Sequence, residues 1–88
     1  MRIKEGFVIR EVMGNYVAVA VGEASKSFRG MIKLNGTAAY IWRMIEKGMS
    51  EDEICLAMLE EYDVDRDQLV LDVHRTIEDL REKGFVEE

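Results

Sequence analysis

Two residues have side chains that commonly act as nucleophile, general base or metal ligand: His74 is the only histidine and Cys55 the only cysteine. A zinc or similar site needs more ligands of these types, or a carboxylate cluster on one face. We therefore expect no metal site, and we interpret His74 as a residue on the flank of a helix. Cys55 falls on the apolar stripe of a predicted helix, so we interpret it as a small core residue.

The other polar motifs do not form a recognisable catalytic or cofactor site. The acidic groups at 51–53 and 60–61 are typical of solvated helix faces. The segment GEASKSFRG lacks the glycine spacing of a phosphate-binding loop, and it leads into a strand rather than a helix. The sequence thus predicts a protein that is not an enzyme, has no catalytic residue and binds no cofactor.

The net charge of −6 is distributed unevenly over the 88 residues. Residues 1–34 hold six cations against three carboxylates, a net +3, which leaves −9 for residues 35–88. The acidic part would repel phosphates, so we expect no nucleic-acid partner. No apolar run is long enough to span a membrane, and the charged N-terminus does not fit a secretory signal. We expect a single cytoplasmic domain over residues 1–88, with no membrane partner.

The first third of the chain has the composition of three β-strands, FVIREVM (7–13), YVAVAV (16–21) and FRGMIKL (28–34). Gly14-Asn15 predicts a two-residue type II′ turn between the first two, because glycine accepts a positive φ. The second strand is apolar throughout, which favours the middle of a sheet. GEASKS reads as a polar loop, and Gly30 indicates a bulge or a close backbone approach.

The rest of the chain predicts three helices, separated by Gly48 and by the segment before Asp65. Asn35-Gly36 precedes the first helix, Ser50 and Glu53 form a capping box for the second, and Asp65 caps the third with Gln68 at the reciprocal position. Gly84 ends the third helix. The predicted buried stripes are Ala38, Ile41, Trp42 and Ile45, then Ile54, Cys55, Met58, Leu59 and Tyr62, then Leu69, Val73, Ile77 and Leu80.

These segments, in this order and spacing, resemble the PqqD family. The matching features are Leu34-Asn35, Ala38, Ile41-Trp42, Gly48, Ser50, Tyr62-Asp63-Val64, and Leu80 with Gly84. The resemblance implies an α+β fold, a three-stranded antiparallel sheet followed by three helices, similar to a winged helix-turn-helix. It also implies the role of a RiPP recognition element, where RiPP means a ribosomally made and post-translationally modified peptide. Such a domain binds the leader of a precursor peptide and presents it to a modifying enzyme, often of the radical SAM type.

The predicted third strand is the natural place for a peptide, since in a meander it is an edge strand with unpaired main-chain groups. Selection would come from a groove between this edge and the third helix. One flank of that helix carries Asp72, Thr76, Asp79 and Lys83, and the other carries Val70, His74 and Arg81. We prefer the first flank, because an Asp-Val pair of the family falls at Asp72-Val73. The expected peptide-binding residues are Phe28, Arg29, Gly30, Met31, Ile32, Lys33, Asp72, Thr76 and Asp79.

Two other functions are compatible with the predicted fold. One is a winged-helix DNA-binding regulator, although the acidic third helix is unlike a basic recognition helix. The other is an interaction module whose edge strand pairs with a second copy. The sequence leaves open whether the chain is a monomer or a homodimer, which enzyme it serves, and whether the pathway makes pyrroloquinoline quinone or another product.

Overall fold

The computed structural model describes residues 1–28 and 30–88, and it confirms the predicted order of a three-stranded antiparallel sheet followed by three helices. A short 3₁₀ helix, Gly22–Lys26, occupies the segment predicted as a polar loop. The elements are β1 (Arg2–Ile3), β2 (Phe7–Val12), β3 (Asn15–Ala20), β4 (Met31–Leu34), α1 (Gly36–Glu46), α2 (Glu51–Glu61), α3 (Arg66–Glu82) and β5 (Val86–Glu87).

The main sheet has the strand order β2-β3-β4, so β3 is central, as predicted. The predicted turn at Gly14-Asn15 is wrong by one residue. Val12 pairs with Asn15, and the two-residue loop is Met13-Gly14, with φ of 51° and 82°. Positive φ at both loop positions is the requirement of a type I′ turn, whose twist matches the flanking strands.

Strand β4 is shorter than predicted, because it begins at Met31 rather than at Phe28. Gly30 lies just before the strand with φ of 92°. A Cβ atom at this position would meet nothing within 4 Å. The backbone conformation, which other residues rarely adopt, therefore explains the glycine, and within the chain no close approach to it is seen.

Each helix begins at a side-chain cap, of which Ser50 and Asp65 were predicted, and α1 begins at Gly36 rather than after it. The Asn35 side chain accepts a hydrogen bond from the backbone N–H of Ala38 at 2.8 Å. Ser50 and Glu53 form both bonds of the predicted capping box. Asp65 accepts from the backbone N–H of Gln68 at 2.9 Å, but the Gln68 side chain donates to Asp72 instead of returning to the cap.

The C-terminus of α3 turns the chain back into the core. Gly84 has φ of 86° and donates to the carbonyl of Arg81, and Phe85 donates to the carbonyl of Leu80. This pair of bonds is a Schellman motif, for which a left-handed residue such as glycine is needed. Phe85 is thereby fully buried, and β5 continues from it to pair with β1 in a second, two-stranded sheet.

The core lies between the main sheet and the three helices. Trp42 and Phe85 are its largest fully buried side chains, and their ring centroids are 5.3 Å apart. All the predicted stripe residues of α1 and α3 are buried. The prediction for α2 is wrong at Tyr62, which follows the helix and is 46% exposed. Among the described residues, no helix is long and apolar enough to cross a membrane.

Candidate functional site

The free edge of β4 presents main-chain groups at alternate residues. The two-residue loop makes Val12–Asn15 a hydrogen-bonded pair. Every second pair of the ladder is hydrogen-bonded, and the bond from Val21 N–H to the Gly6 carbonyl at 2.7 Å falls on the same alternate set of pairs. Hydrogen-bonded pairs alternate along an antiparallel ladder, so Ala18–Ile32 is a hydrogen-bonded pair of β3 and β4. The N–H and C=O groups of Met31 and Lys33 therefore point away from β3, toward the open edge.

We call the space between the free edge of β4 and α3 the groove, and one contact at each end of β4 gives its direction. Before β4, the ring of Phe28 lies 5.8 Å from that of Phe85, which lies three residues beyond the end of α3. After β4, Gly36 lines a common depression with Asp72 near the start of α3. The strand and the helix therefore lie alongside each other in opposite directions.

The Asp72 flank of α3 meets the chain just after β4. Asp72 shares the depression with Gly36 and Thr37, which directly follow β4 and its cap. The other flank faces α2, because His74 Nδ1 lies 3.1 Å from a carboxylate oxygen of Glu51. From Asp72 to Asp79 the helix rises about 10 Å, close to the roughly 13 Å length of a four-residue strand.

The polar groups on the groove flank are tied to their own helix. Thr76 donates its hydroxyl hydrogen to the backbone carbonyl of Asp72 at 2.8 Å. The carboxylate of Asp79 pairs with Lys83 Nζ at 2.8 Å. Asp72 accepts from the Gln68 side chain at 2.8 Å and is exposed. Asp72 thus keeps further acceptor capacity for a ligand at this end of the groove.

The depression at the Asp72 end has a volume of about 460 Å³ and a mostly apolar lining. It is formed by Gly36, Thr37, Met58, Tyr62, Val64, Leu69 and Asp72. Tyr62 and Val64 expose 46% and 50% of their surface there. We had not included any of the apolar residues of this depression in the expected site, since Tyr62, Met58 and Leu69 were assigned wholly to the core. For Tyr62 and Val64, the signal in the sequence was the family motif Tyr62-Asp63-Val64.

A pair of tyrosines adjoins the depression. The rings of Tyr40 and Tyr62 meet edge to face, with centroids 6.1 Å apart. The Glu61 carboxylate, as a hydrogen-bond acceptor, and partial burial raise the pKa of Tyr40 to about 12. The Tyr40 phenol stays neutral near pH 7. The two rings form an aromatic border beside the depression.

The expected site residues of the β4 region occupy three different environments. Phe28 belongs to the aromatic cluster with Phe85, and Ile32 lies on the core side of the sheet. Met31 and Lys33 have main-chain groups at the edge and side chains on the outer sheet face. Gly30 lies before the strand, and Arg29 lies outside the described residues. Asp72, Thr76 and Asp79 share one flank of α3.

The residues capable of chemistry lie away from the groove. Among the described residues, no three or more His, Cys, Asp or Glu side chains are grouped so as to hold a metal ion. Burial, with smaller contributions from Glu51 and Asp52, raises the pKa of the Cys55 thiol. A buried, protonated thiol is a poor nucleophile. Cys55 lies on α2, and His74 lies on the flank of α3 that contacts Glu51.

The open sheet edge beside a helix defines a domain of the winged-helix type with an extended groove. Two solved structures share this fold. One is TbiB1 in complex with the TbiA(beta) leader peptide, with TM-score 0.75 and 23% identity over 99% of this chain and 100% of that one. The other is a lasso peptide synthetase B1 complexed with the leader peptide, with TM-score 0.78 and 21% identity over 99% and 96%.

The family itself is given by sequence. Residues 15–86 match the model of the family described as coenzyme PQQ synthesis protein D (PqqD). That match covers most of the chain. The chain therefore belongs to the PqqD family, and the match confirms the resemblance drawn from its motifs. No curated protein matches the chain in sequence.

Proposed function

We propose that residues 1–88 form a single peptide-binding domain that takes up the leader region of a ribosomally synthesised precursor peptide. The observation that carries this proposal is the free edge of β4, with Asp72 of α3 lining a depression beside the residues that follow this strand. Membership of the PqqD family supports it, as do the leader peptides bound to the two structures of similar fold. The domain is proposed to present the leader to a modifying enzyme and to perform no catalysis itself.

The leader would bind as an added strand. Its main chain would pair with the outward N–H and C=O groups of Met31 and Lys33, which gives affinity with little dependence on sequence. Alternate side chains of the peptide would enter the groove, and a large apolar one would fill the depression beside Tyr62 and Val64. A peptide that orders on binding loses entropy, so we expect a Kd near 1 μM, about −8 kcal/mol.

The partner enzyme is proposed to be of the radical SAM type or another peptide-modifying class. The domain would act in the cytoplasm as a monomer or homodimer without a cofactor of its own. Pyrroloquinoline quinone is one candidate product of the pathway, and a different modified peptide is the alternative.

Proline at position 33 tests strand addition at the edge. Lys33→Pro removes one outward N–H, and a proline is tolerated on an edge strand when its missing N–H faces solvent. The matched control, Lys33→Ala, removes the same side chain but keeps the N–H. The ligand is the labelled leader of a short precursor peptide encoded beside the gene of this chain, and Kd is measured by fluorescence anisotropy.

We expect Lys33→Pro to weaken binding roughly tenfold, about 1.4 kcal/mol, and Lys33→Ala to bind like the parent protein. Amide chemical shifts recorded during the titration should change along β4 and the Asp72 flank of α3. Unchanged affinity in the folded Lys33→Pro variant, or shift changes confined to α1 and α2, would place the peptide elsewhere.

A further inference from the structure

The sheet has a second face that no described element covers. Strand register assigns Phe7, Ala18 and Leu34 to the side packed against the helices. Their sequence neighbours point to the opposite side, because side chains alternate along a strand. This outer face consists of Val8, Arg10, Val12, Asn15, Val17, Val19, Met31 and Lys33.

Five of the eight side chains on the outer face are apolar. None of the eight residues belongs to the core cluster between the sheet and the helices or packs against it. Met31 is 63% exposed and Val12 50%, while Val8 and Val19 are half-buried. Val17 is only 8% exposed although it lies on this open side. A contiguous apolar patch of this kind commonly marks an interaction site.

Two cations frame the centre of the outer face. Arg10 and Lys33 stand directly opposite Val17 on the two neighbouring strands. No carboxylate residue occupies the outer face in this register. Within the described part of the chain, neither Arg10 nor Lys33 takes part in an ion pair. These two charges are therefore available to a binding partner.

We propose that the outer face is a docking surface for a partner protein that presents an apolar centre flanked by carboxylates. Such a partner would cover Val17, Val19 and Met31 while its acidic rim neutralised Arg10 and Lys33. Charge complementarity of this kind directs encounter and excludes partners of the wrong sign. The proposal goes beyond leader binding, since it concerns the side chains of the sheet and not its main-chain edge.

The same charges argue against two other occupants. A second copy docked by the same face in a symmetric dimer would bring like charges together, which is unfavourable. An anionic membrane surface is recognised by clusters of about four to eight cations or by exposed aromatic anchors. The outer face has two cations and no aromatic residue, and Trp42 is fully buried.

A pair of designed peptides tests the docking surface. The first is a synthetic amphipathic helix with leucines on one face and glutamates on both flanks, and the second replaces every glutamate by lysine. Each is titrated into the full chain while amide and methyl chemical shifts are recorded. We expect the acidic peptide to shift the resonances of Val17, Val19 and Met31, and the basic peptide to leave them unchanged.

The charge-reversed variant Arg10→Glu/Lys33→Glu should bind the acidic peptide about tenfold more weakly or not at all, with the basic peptide gaining affinity instead. The variant Lys47→Glu/Arg75→Glu makes the same change of charge at two exposed positions, one just after α1 and one on α3, and should bind like the parent. Equal binding of both peptides, or no shift on the outer face, overturns the proposal. The proposal is also overturned if light scattering detects a dimer that the variant Arg10→Glu/Lys33→Glu alters. Binding of phosphatidylglycerol vesicles to the outer face would overturn it as well.

Discussion

The contact between Phe28 and Phe85 closes one end of the groove, and its strength can be measured. Phe85 is fully buried, with ring centroids of Phe7, Phe28 and Trp42 at 5.1, 5.8 and 5.3 Å. Replacing a buried phenylalanine by alanine costs about 3–5 kcal/mol. A domain of this length has a total stability of roughly 4–13 kcal/mol, so that variant is at risk of unfolding.

Leucine is therefore the better substitution at both positions. Each aromatic pair contributes about 0.5–1.5 kcal/mol beyond burial, so Phe85→Leu, which loses three such contacts, should cost about 1.5–4.5 kcal/mol. In a double-mutant cycle, Phe28→Leu and Phe85→Leu should show a coupling energy of about 0.5–1.5 kcal/mol. Urea unfolding followed by the fluorescence of buried Trp42 gives all four free energies.

The control cycle pairs Phe85→Leu with Met31→Ala, whose side chain lies on the opposite sheet face. Distant sites add within about 0.3–0.5 kcal/mol, so this second cycle should show no coupling above that level. A coupling energy between Phe28 and Phe85 that is no larger than the control would refute the argument. The contact between Phe28 and Phe85 would then not hold the segment before β4 against the end of α3.

Three further predictions concern two single residues. Asn35→Ala should destabilise the protein by about 1 kcal/mol, because it removes the acceptor for the Ala38 N–H, and Asn35→Asp should restore the loss in a thermal melt. Cys55 should react with a thiol reagent at pH 8 only after urea unfolds the chain; rapid labelling of the native protein would contradict its burial. Folding raises the pKa of Cys55 above its ordinary value of 9.0. The free energy of unfolding should therefore fall as the pH rises past 9.0, because the thiol ionises more readily in the unfolded chain.

The helices were predictable because their signals are local. The Ser50–Glu53 box and the Gly84 terminus each depend on a few neighbouring residues, and the apolar stripes repeat at the helical period. Tyr62 shows the limit of this reasoning. Its spacing continues the stripe of α2, but the helix ends at Glu61, so the side chain leaves the core for the groove.

The strands were less predictable because their limits depend on distant partners. Strands β1 and β5 have two residues each, too few for a recognisable alternation, and they form by pairing Ile3 with Val86. In the hairpin, the local preference for glycine first in the loop predicts Gly14-Asn15, whereas the strands pair around Met13-Gly14. Both loops leave the same side chains on each face, so the face pattern does not choose between them, and Met13 adopts a positive φ that a non-glycine residue seldom has.

The candidate site was predictable as an edge but not as a groove. Strand count and order place β4 at the edge of a meander, and this follows from the sequence alone. Which flank of α3 faces the edge is a property of tertiary packing. The structure places Asp72 in a depression with Gly36, and His74 within hydrogen-bond distance of Glu51. No periodicity in the sequence encodes these contacts.

The two proposals for strand β4 are compatible because its main chain and side chains point in perpendicular directions. At Lys33 the N–H faces the open edge, while the ammonium group lies on the outer face. A side-chain change there should alter docking of an acidic partner and spare strand addition, and proline should impair strand addition even when the outer face still docks its partner. The bound leader would lie beside the docking surface without covering it, so a partner enzyme on the outer face could hold the domain while the peptide is exchanged.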